Sequence, residues 1–292
     1  MNDISTKPIV LVTGANGQLG MELRQLSAAQ PGYQFIFTGR EELDIADRGA
    51  VNEFFEKNKI RFCINCAAYT AVDKAESEKN IAEKINTDGP ANLAAACRDH
   101  RARLFHISTD YVFNGRGTTP YLPGDATEPV NFYGSTKLNG EKKALEENKD
   151  IIIIRTAWVY SSYGNNFVKT MIRLMNQKES INVVSDQLGS PTYAADLADA
   201  IMQIISKNNF VPGIYHYTNA GITSWFGFAK EIAAGIETKC IINPINTDQY
   251  PTPAARPAYS ALNTEKIRSV FGIAIPDWQD SLRRCLALMN NV

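Results

Sequence analysis

A tyrosine and a lysine four residues apart, in the segment Tyr133-Gly-Ser-Thr-Lys137, are the side chains of this sequence best suited to chemistry. Residues four apart share one face of a helix, so the phenol and the ammonium are expected to lie side by side. A phenol titrates near ~10 in isolation, and an adjacent cation stabilises the phenolate. The pair therefore predicts a general acid that works near neutral pH on an oxygen atom.

A glycine-rich turn, Gly14-Ala-Asn-Gly17-Gln-Leu-Gly20, stands between an apolar strand and a helical pattern near the start of the chain. Glycine allows positive φ angles and lets a pyrophosphate approach the backbone N–H groups where a helix begins. The spacing departs from the G-x-G-x-x-G fingerprint, but its place after the first strand still predicts a dinucleotide site. Together with Tyr133 and Lys137, this turn indicates an enzyme of hydride transfer.

The residues after the second predicted strand bear on which dinucleotide binds. An NAD site usually has a carboxylate there, on the ribose 2′-hydroxyl, whereas this chain reads Thr38-Gly39-Arg40. A guanidinium suits a 2′-phosphate, so Arg40 predicts NADPH. NADH remains the alternative, because Glu41 and Glu42 follow directly and Arg40 could equally be a solvated loop residue.

Polar and small side chains follow two further predicted strands. Ser108-Thr109-Asp110 ends the fourth strand, at the edge where open α/β sheets bind ligands. The Thr109 hydroxyl could bond a carbonyl oxygen beside Tyr133, although a threonine after a strand is often a turn or cap residue. Asn65-Cys-Ala-Ala68 ends the third strand with small residues, against which a cofactor could lie flat.

A scaffold of alternating strands and helices would position these residues. Apolar runs predict strands over residues 8–13, 34–38, 62–65, 103–108 and 151–156, and helical patterns cover 17–28, 47–58, 78–86, 89–100 and 133–147. Continuous apolar runs suit parallel strands that are covered on both faces. We therefore predict an α/β fold with a doubly wound, Rossmann-like parallel sheet in residues 1–160. Residues 161–292 are predicted to form mainly a smaller substrate-binding lobe, with a segment near 181–210 returning to the first domain.

Composition excludes several other classes of protein. The 292 residues carry a net charge of −1, which gives no basic footprint for nucleic acid. No apolar run approaches the ~20 residues of a membrane span, and the first seven residues do not read as a signal peptide. Five sparse cysteines, of which Cys63 and Cys66 read as core thiols rather than a metal or redox pair, predict the reducing cytoplasm.

The motifs resemble the extended short-chain dehydrogenase/reductase family over almost the whole chain. Beyond the segments above, the resemblance is carried by Tyr69-Thr-Ala-Val-Asp-Lys-Ala-Glu76, Arg155-Thr-Ala-Trp-Val-Tyr160, Gly164-Asn-Asn-Phe167, Asp186-Gln-Leu-Gly-Ser-Pro-Thr192 and Arg256-Pro257. The branch of the family that it resembles most implies NAD(P)H-dependent reduction of the 4-keto group of dTDP-6-deoxy-L-lyxo-4-hexulose. The product, dTDP-L-rhamnose, would feed cell-envelope polysaccharide synthesis.

The resemblance also implies a set of site residues. Catalysis would use Thr109, Tyr133 and Lys137. Cofactor contacts would come from Gly14, Gly17, Gln18, Leu19, Gly20, Arg40, Asp44, Ile45, Ala67, Ala68, Tyr69, Thr70, Tyr133 and Lys137. Substrate contacts would come from Thr109, Asp110, Tyr133, Trp158, Asn166 and Arg256, and a buried core role is the alternative for Trp158.

Magnesium and oligomeric state are left open by the sequence. Some members of the family are described as magnesium-bridged dimers, and one of the carboxylates involved matches Glu22. The acidic pair expected in a later helix reads Ala194-Ala195-Asp196 here, so the metal site is in doubt. A monomer and a homodimer are both compatible with the sequence.

Two other readings compete with a reductase. Nucleotide-sugar dehydratases need a second carboxylate after the threonine-aspartate pair, where this chain has Tyr111, and epimerases use an acidic residue where it has Arg40. A non-catalytic subunit, like the regulatory subunit of methionine adenosyltransferase, resembles the same family. The presence of Thr109, Tyr133 and Lys137 favours an enzyme, and turnover distinguishes the two classes.

Overall fold

The computed structural model describes residues 7–290 as alternating strands and helices followed by a looser second half. The strands are β1 (Ile9–Thr13), β2 (Gln34–Thr38), β3 (Ile60–Asn65), β4 (Arg103–Thr109), β5 (Ile151–Thr156), β6 (Val159–Tyr160), β7 (Ser180–Val184), β8 (Leu188–Gly189), β9 (Thr192–Tyr193), β10 (Gly213–His216), β11 (Thr223–Ser224) and β12 (Ile241–Ile245). The helices are α1 (Gln18–Ser27), α2 (Arg48–Asn58), α3 (Val72–Ala75), α4 (Lys79–Glu83), α5 (Gly89–Asp99), α6 (Phe132–Glu147), α7 (Phe167–Gln177), α8 (Ala194–Ser206), α9 (Trp225–Ile236), α10 (Glu265–Phe271) and α11 (Trp278–Asn290).

Six of these strands form one parallel sheet in the order β10-β5-β4-β3-β1-β2. The connections run outward in both directions from β1 and β3, so the sheet has a switch point between these two strands. Ligands of doubly wound sheets bind outside the carboxyl ends of the strands at such a point. The predicted fold class is confirmed, and all five predicted strands are present.

Alternate side chains of each strand supply two apolar layers, as expected for a sheet that is covered on both faces. Val10 and Val12 face a core that includes Leu23 of α1 and Ile201 of α8. Leu11 points the other way, into a core with α2 and α5. The sheet is thus held rigidly between helices, and its carboxyl edge is a fixed platform for side chains.

The predicted helices 78–86 and 89–100 form one nearly continuous segment. α4 leads into a π-helical turn at Lys84–Asp88, and α5 follows without a break. The wide turn directs the buried Asn86 side chain inward, where it accepts a hydrogen bond from the Tyr69 N–H (2.8 Å) and donates one to Thr136 Oγ1 (3.0 Å). The bulge therefore ties the loop after β3 to helix α6.

The second half of the chain contributes to both the main sheet and a smaller lobe. In the smaller lobe, β7 pairs with β12, and α7, α9 and α11 pack around Phe228 and Trp278. α8 packs against α1, and β10 forms one edge of the main sheet. The sequence predicts that a segment near 181–210 returns to the first domain. Its strand β7 instead pairs with β12, outside the main sheet, whereas its helix α8 packs against α1. The proposed division at residue 160 stays a prediction.

Three further expectations concern the chain as a whole. The prediction for the N-terminus falls mainly on residues 1–6, which lie outside the described residues. Among residues 7–290, no helix is both long and apolar enough to cross a membrane. All five cysteines have free thiols. Cys63 is buried in the core as expected, whereas Cys66 lies one residue beyond β3 and is partly exposed.

Candidate active site

The backbone of the turn between β1 and α1 lies unusually close to the segment that follows β3. Gly14 has φ +65°, and a Cβ there would lie 2.5 Å from the Ala67 nitrogen. A Cβ at Gly20 would lie 2.6 Å from the Gly14 carbonyl oxygen. Only glycine fits such contacts. The turn therefore brings the N-terminus of α1 to the carboxyl edge of the sheet, where its free N–H groups can bind a phosphate.

A cavity of about 850 Å³ opens along this edge and extends toward the smaller lobe. It is lined by fifteen of the residues predicted for the site. They are Gly14, Gly17, Gln18, Leu19, Arg40, Asp44, Ile45, Ala67, Ala68, Thr70, Thr109, Asp110, Tyr133, Lys137 and Trp158. The glycine turn and the tyrosine–lysine pair, which are more than a hundred residues apart in sequence, thus face one shared space.

Four predicted site residues do not line the cavity. Gly20 packs against Ala15 behind the turn, and the Tyr69 hydroxyl donates to Glu78 Oε2 (2.7 Å). Arg256 forms an ion pair with Asp73 (2.8 Å). Asn166 caps α7, and its amide donates to Gln18 Oε1 (3.0 Å). Tyr69, Arg256 and Asn166 are therefore held by protein partners, and Asn166 reaches the cavity only through Gln18.

The cavity is completed by residues outside the predicted set. They are Asn16, Gly39, Leu43, Cys66, Val72, Ile85, Ile107, Ser108, Tyr111, Thr156, Ala157, Val159, Gly164, Asn165 and Leu197. Cys66 and Thr156–Val159 directly follow or end parallel strands, so strand ends are a usable signal for them. Leu197 and Asn165 come from α8 and the loop before α7, and their approach depends on tertiary packing.

Tyr133 and Lys137 occupy the first two turns of α6 and are both buried. Asn131 caps this helix by accepting a hydrogen bond from the Gly134 N–H (2.8 Å), and its amide donates to the Ala255 carbonyl (2.8 Å). The Lys137 ammonium donates to the Ile107 carbonyl at the end of β4 (2.7 Å). Helix capping and the sheet thus fix both groups at the cavity wall.

The pKa values of this pair correct one expectation. The sequence predicts that Lys137 lowers the pKa of Tyr133, but burial raises that pKa instead, with the Thr109 hydroxyl opposing. Burial also lowers the pKa of Lys137 to about 8. Desolvation penalises the charged form of each group. At neutral pH the phenol therefore carries its proton, which suits a group that donates one.

Thr109 and Asp110 end β4 beside the phenol. Thr109 Oγ1 accepts a hydrogen bond from the Tyr111 N–H (3.2 Å) and so does cap the short helical turn that follows. It donates to Asp110 Oδ1 (3.0 Å), and Asp110 Oδ2 accepts no hydrogen bond from the described residues. Burial raises the pKa of Asp110 to about 6. The Ser260 and Thr109 hydroxyls oppose this rise in the pKa, so protein groups hold the Asp110 carboxyl at the cavity wall.

Trp158 forms an aromatic wall on the side of the smaller lobe. Its φ of +48° is a left-handed conformation, which is uncommon for a bulky residue. The indole stacks on Trp225, with ring centroids 3.6 Å apart and an angle of 10° between the planes. One face of the indole is thus covered by protein.

Arg40 lies at the other end of the cavity and is largely exposed. Its guanidinium is 3.9 Å from the Asp44 carboxylate. Of the two glutamates that follow it, Glu42 accepts a hydrogen bond from the Gly39 N–H (2.8 Å). Glu42 is thus engaged by the backbone, and Asp44 is the carboxylate that lies beside the Arg40 guanidinium.

The two carboxylates considered for magnesium do not fit a metal site. Asp196 accepts hydrogen bonds from Asn219 (2.7 Å), Ser281 (2.5 Å) and Arg284 (2.6 and 2.8 Å). Glu22 is buried, accepts from Ser161 (2.6 Å), and has its pKa raised by burial. Magnesium favours converging anionic oxygens, but here a guanidinium already neutralises Asp196. Among residues 7–290, no group of three or more His, Cys, Asp or Glu side chains converges in a way that could hold a metal ion.

The parallel sheet, the glycine turn and the Tyr133–Lys137 pair on one cavity define an extended short-chain dehydrogenase/reductase. The chain belongs to the family described as the RmlD substrate binding domain, whose family model matches residues 8–291.

Relatives of known name match almost the full chain. The dTDP-4-dehydrorhamnose reductase of Escherichia coli (strain K12) is 41% identical over 290 residues, covering 95% of this chain and 96% of the relative. The spore coat polysaccharide biosynthesis protein SpsK of Bacillus subtilis (strain 168) is 44% identical over 280 residues, covering 95% and 96%. The crystal structure of dTDP-4-dehydrorhamnose reductase from Bacillus anthracis in complex with NADP superposes with a TM-score of 0.93. Its identity is 40%, covering 97% of this chain and 100% of that chain.

Proposed function

We propose that this chain is an NADPH-dependent reductase that converts dTDP-6-deoxy-L-lyxo-4-hexulose (dTDP-4-dehydrorhamnose) to dTDP-L-rhamnose for cell-envelope polysaccharide synthesis. The observation that carries the proposal is the position of Tyr133 and Lys137 on the same cavity as the glycine turn. Support also comes from reductases about 40% identical over nearly the whole chain, one of them solved with NADP. The five free cysteines suit action in the reducing cytoplasm.

In this proposal NADPH, when bound, supplies the hydride that reaches the sugar C4. The N–H groups at the start of α1 would hold its pyrophosphate, and Lys137 would hold the nicotinamide ribose. The Tyr133 hydroxyl would donate its proton to the oxygen of the former carbonyl. The Thr109 hydroxyl, which donates to Asp110 Oδ1 in the structure, would turn to donate its hydrogen bond to that oxygen as negative charge develops on it. Asp110 would accept a hydrogen bond from a sugar hydroxyl, with the indole of Trp158 bounding the sugar.

Consumption of NADPH tests the proposal, because it distinguishes an enzyme from a non-catalytic subunit. Purified protein should deplete the absorbance of NADPH when the 4-keto sugar nucleotide is added, and should not do so with either component alone. A regulatory subunit would bind partners without consuming NADPH. Absence of turnover in a protein that still binds NADPH would contradict the proposal.

Arg40 is expected to favour NADPH over NADH. Replacing Arg40 by Ala should weaken NADPH binding about tenfold, the low end of ~1.5–3 kcal/mol for a hydrogen bond to a charged group, because the guanidinium is exposed. NADH affinity should change little, and fluorescence titration measures both constants. Arg48→Ala is a matched control, since Arg48 is also exposed and ion-paired but lies outside the cavity. Equal losses for the two cofactors would show that Arg40 does not bind the 2′-phosphate.

Activity is expected to survive the removal of magnesium. The proposed proton donor is a phenol and the oxygen is stabilised by a hydroxyl, so the carbonyl needs no Lewis acid. Rates before and after dialysis against EDTA should agree, with the oligomeric state followed by size-exclusion chromatography. A complete loss of activity at unchanged oligomeric state, restored by magnesium, would overturn this expectation.

A further inference from the structure

Glu141 and Arg155 form a buried ion pair one helical turn beyond Lys137, and this pair has no part in the reaction proposed above. Glu141 follows Lys137 by four residues on α6, so it shares a face with Lys137 and Tyr133. Its two carboxylate oxygens accept hydrogen bonds from Arg155 Nε (2.9 Å) and Nη2 (2.7 Å). The side chains of Glu141 and Arg155 are 2% and 3% exposed.

Two of the strands that carry cavity residues, β4 and β5, also hold this carboxylate. Ser108 of β4 donates its hydroxyl to Glu141 Oε1 (2.5 Å), and it directly precedes Thr109. Arg155 of β5 directly precedes Thr156. The guanidinium is fixed further by a hydrogen bond to the Pro123 carbonyl (3.2 Å). Glu141 therefore holds helix α6 to β4 and β5, two of the strands that line the cavity.

On the basis of the proposed function, we propose that Glu141 and Arg155 form a positioning unit for Lys137. The pair holds α6 against β4 and β5, and it fixes the position of the Glu141 carboxylate that the Lys137 ammonium faces. Neither residue touches the substrate or the cofactor in this role.

Other titratable groups around Lys137 leave Glu141 as its main counter-charge. Cys66, beyond β3, has its pKa raised by burial, and His106 of β4 has its pKa lowered well below the usual value by burial. Both are therefore neutral at pH 7, as is Tyr133 on the same helix. Burial lowers the pKa of Lys137 to about 8, and Glu141 is the largest opposing influence. The carboxylate thus helps to keep the ammonium protonated where the enzyme would work.

The test is the pH dependence of kcat/KM for NADPH-dependent reduction, which reports groups of the free enzyme. In the wild type, kcat/KM should fall as pH rises through about 8, because Lys137 loses its proton there. We call this fall the alkaline limb of the pH profile. Glu141→Gln removes the negative charge and should move the alkaline limb to lower pH by on the order of one unit. Arg155→Met leaves the carboxylate unpaired and should move it to higher pH.

Opposite displacements by two variants of one ion pair distinguish this role from a merely structural one. Loss of packing alone would lower kcat in both variants and leave the limb in place, and that result would overturn the proposal. Glu141→Asp keeps the charge and should restore the wild-type limb. Glu146→Gln removes an exposed carboxylate from the same helix and serves as the matched control.

Removing one partner of a buried ion pair can prevent folding. Ser108→Ala keeps the pair but removes one hydrogen bond from the carboxylate, so it should move the limb upward by a smaller amount. An unmoved limb in Ser108→Ala, when the larger substitutions do not fold, would contradict the proposal. The NADPH dissociation constant measured against pH, without sugar, should show the same displacements. If the wild type binds NADPH without turnover, the proposed function fails, and these titrations still decide the role of Glu141.

Discussion

Replacing Tyr133 by Phe is expected to lower kcat by ~10²–10⁴-fold, the usual contribution of a positioned general acid, with nearly unchanged NADPH affinity. The substitution removes only the hydroxyl that would protonate the sugar oxygen. The ring remains buried and keeps its edge-to-face contact with Tyr111, at a centroid distance of 5.6 Å. Steady-state kinetics and a fluorescence titration with NADPH measure the two effects separately.

Tyr250→Phe is the matched control, because it removes a phenol hydroxyl from an exposed side chain outside the cavity. Both variants should melt near the temperature of the wild type. A near-normal rate in Tyr133→Phe would remove Tyr133 from the role of proton donor.

Replacing Lys137 by Met is expected to impair binding and rate together. One ammonium would serve both the nicotinamide ribose and the electrostatics around the phenol, so a single substitution removes both. The loss of a hydrogen bond from a charged group, ~1.5–3 kcal/mol, predicts NADPH affinity weakened by about ten- to a hundredfold. The rate at saturating NADPH should fall as well, and the same two measurements apply.

Folding should be preserved in Lys137→Met, because methionine replaces a buried ammonium with an apolar side chain of similar length. Lys142→Met changes an exposed lysine of the same helix and should have little effect on kinetics. A Lys137→Met variant with altered stability but intact kinetics would show that the lysine has only a structural role.

Much of the site can be predicted because its signals are local in sequence. Glycine spacing locates the β1–α1 turn, and four-residue spacing brings Tyr133 and Lys137 to one face of a helix. The carboxyl ends of parallel strands meet at one edge, so the amino-acid sequence alone assigns Thr109 and Ala68 to the same cavity.

Other features depend on partners far away in the chain. Asp196 accepts a hydrogen bond from Arg284, which lies 88 residues further along the chain, and helical periodicity gives no sign of this pairing. The π-helical turn at Lys84–Asp88 is stabilised by bonds of Asn86 to the Tyr69 loop and to Thr136. The pKa of Tyr133 depends on how completely the surrounding protein excludes water, which spacing alone does not reveal.

Transfer of deuterium from NADPH labelled at both nicotinamide C4 positions tests the central claim most directly. With dTDP-4-dehydrorhamnose as substrate, NMR should find one deuterium at C4 of the sugar and identify the product as dTDP-L-rhamnose. The Tyr133→Phe variant should form the same labelled product far more slowly. Consumption of the sugar nucleotide with no deuterium at C4, or no consumption by protein that binds NADPH, would contradict the assignment of this chain as a 4-keto reductase.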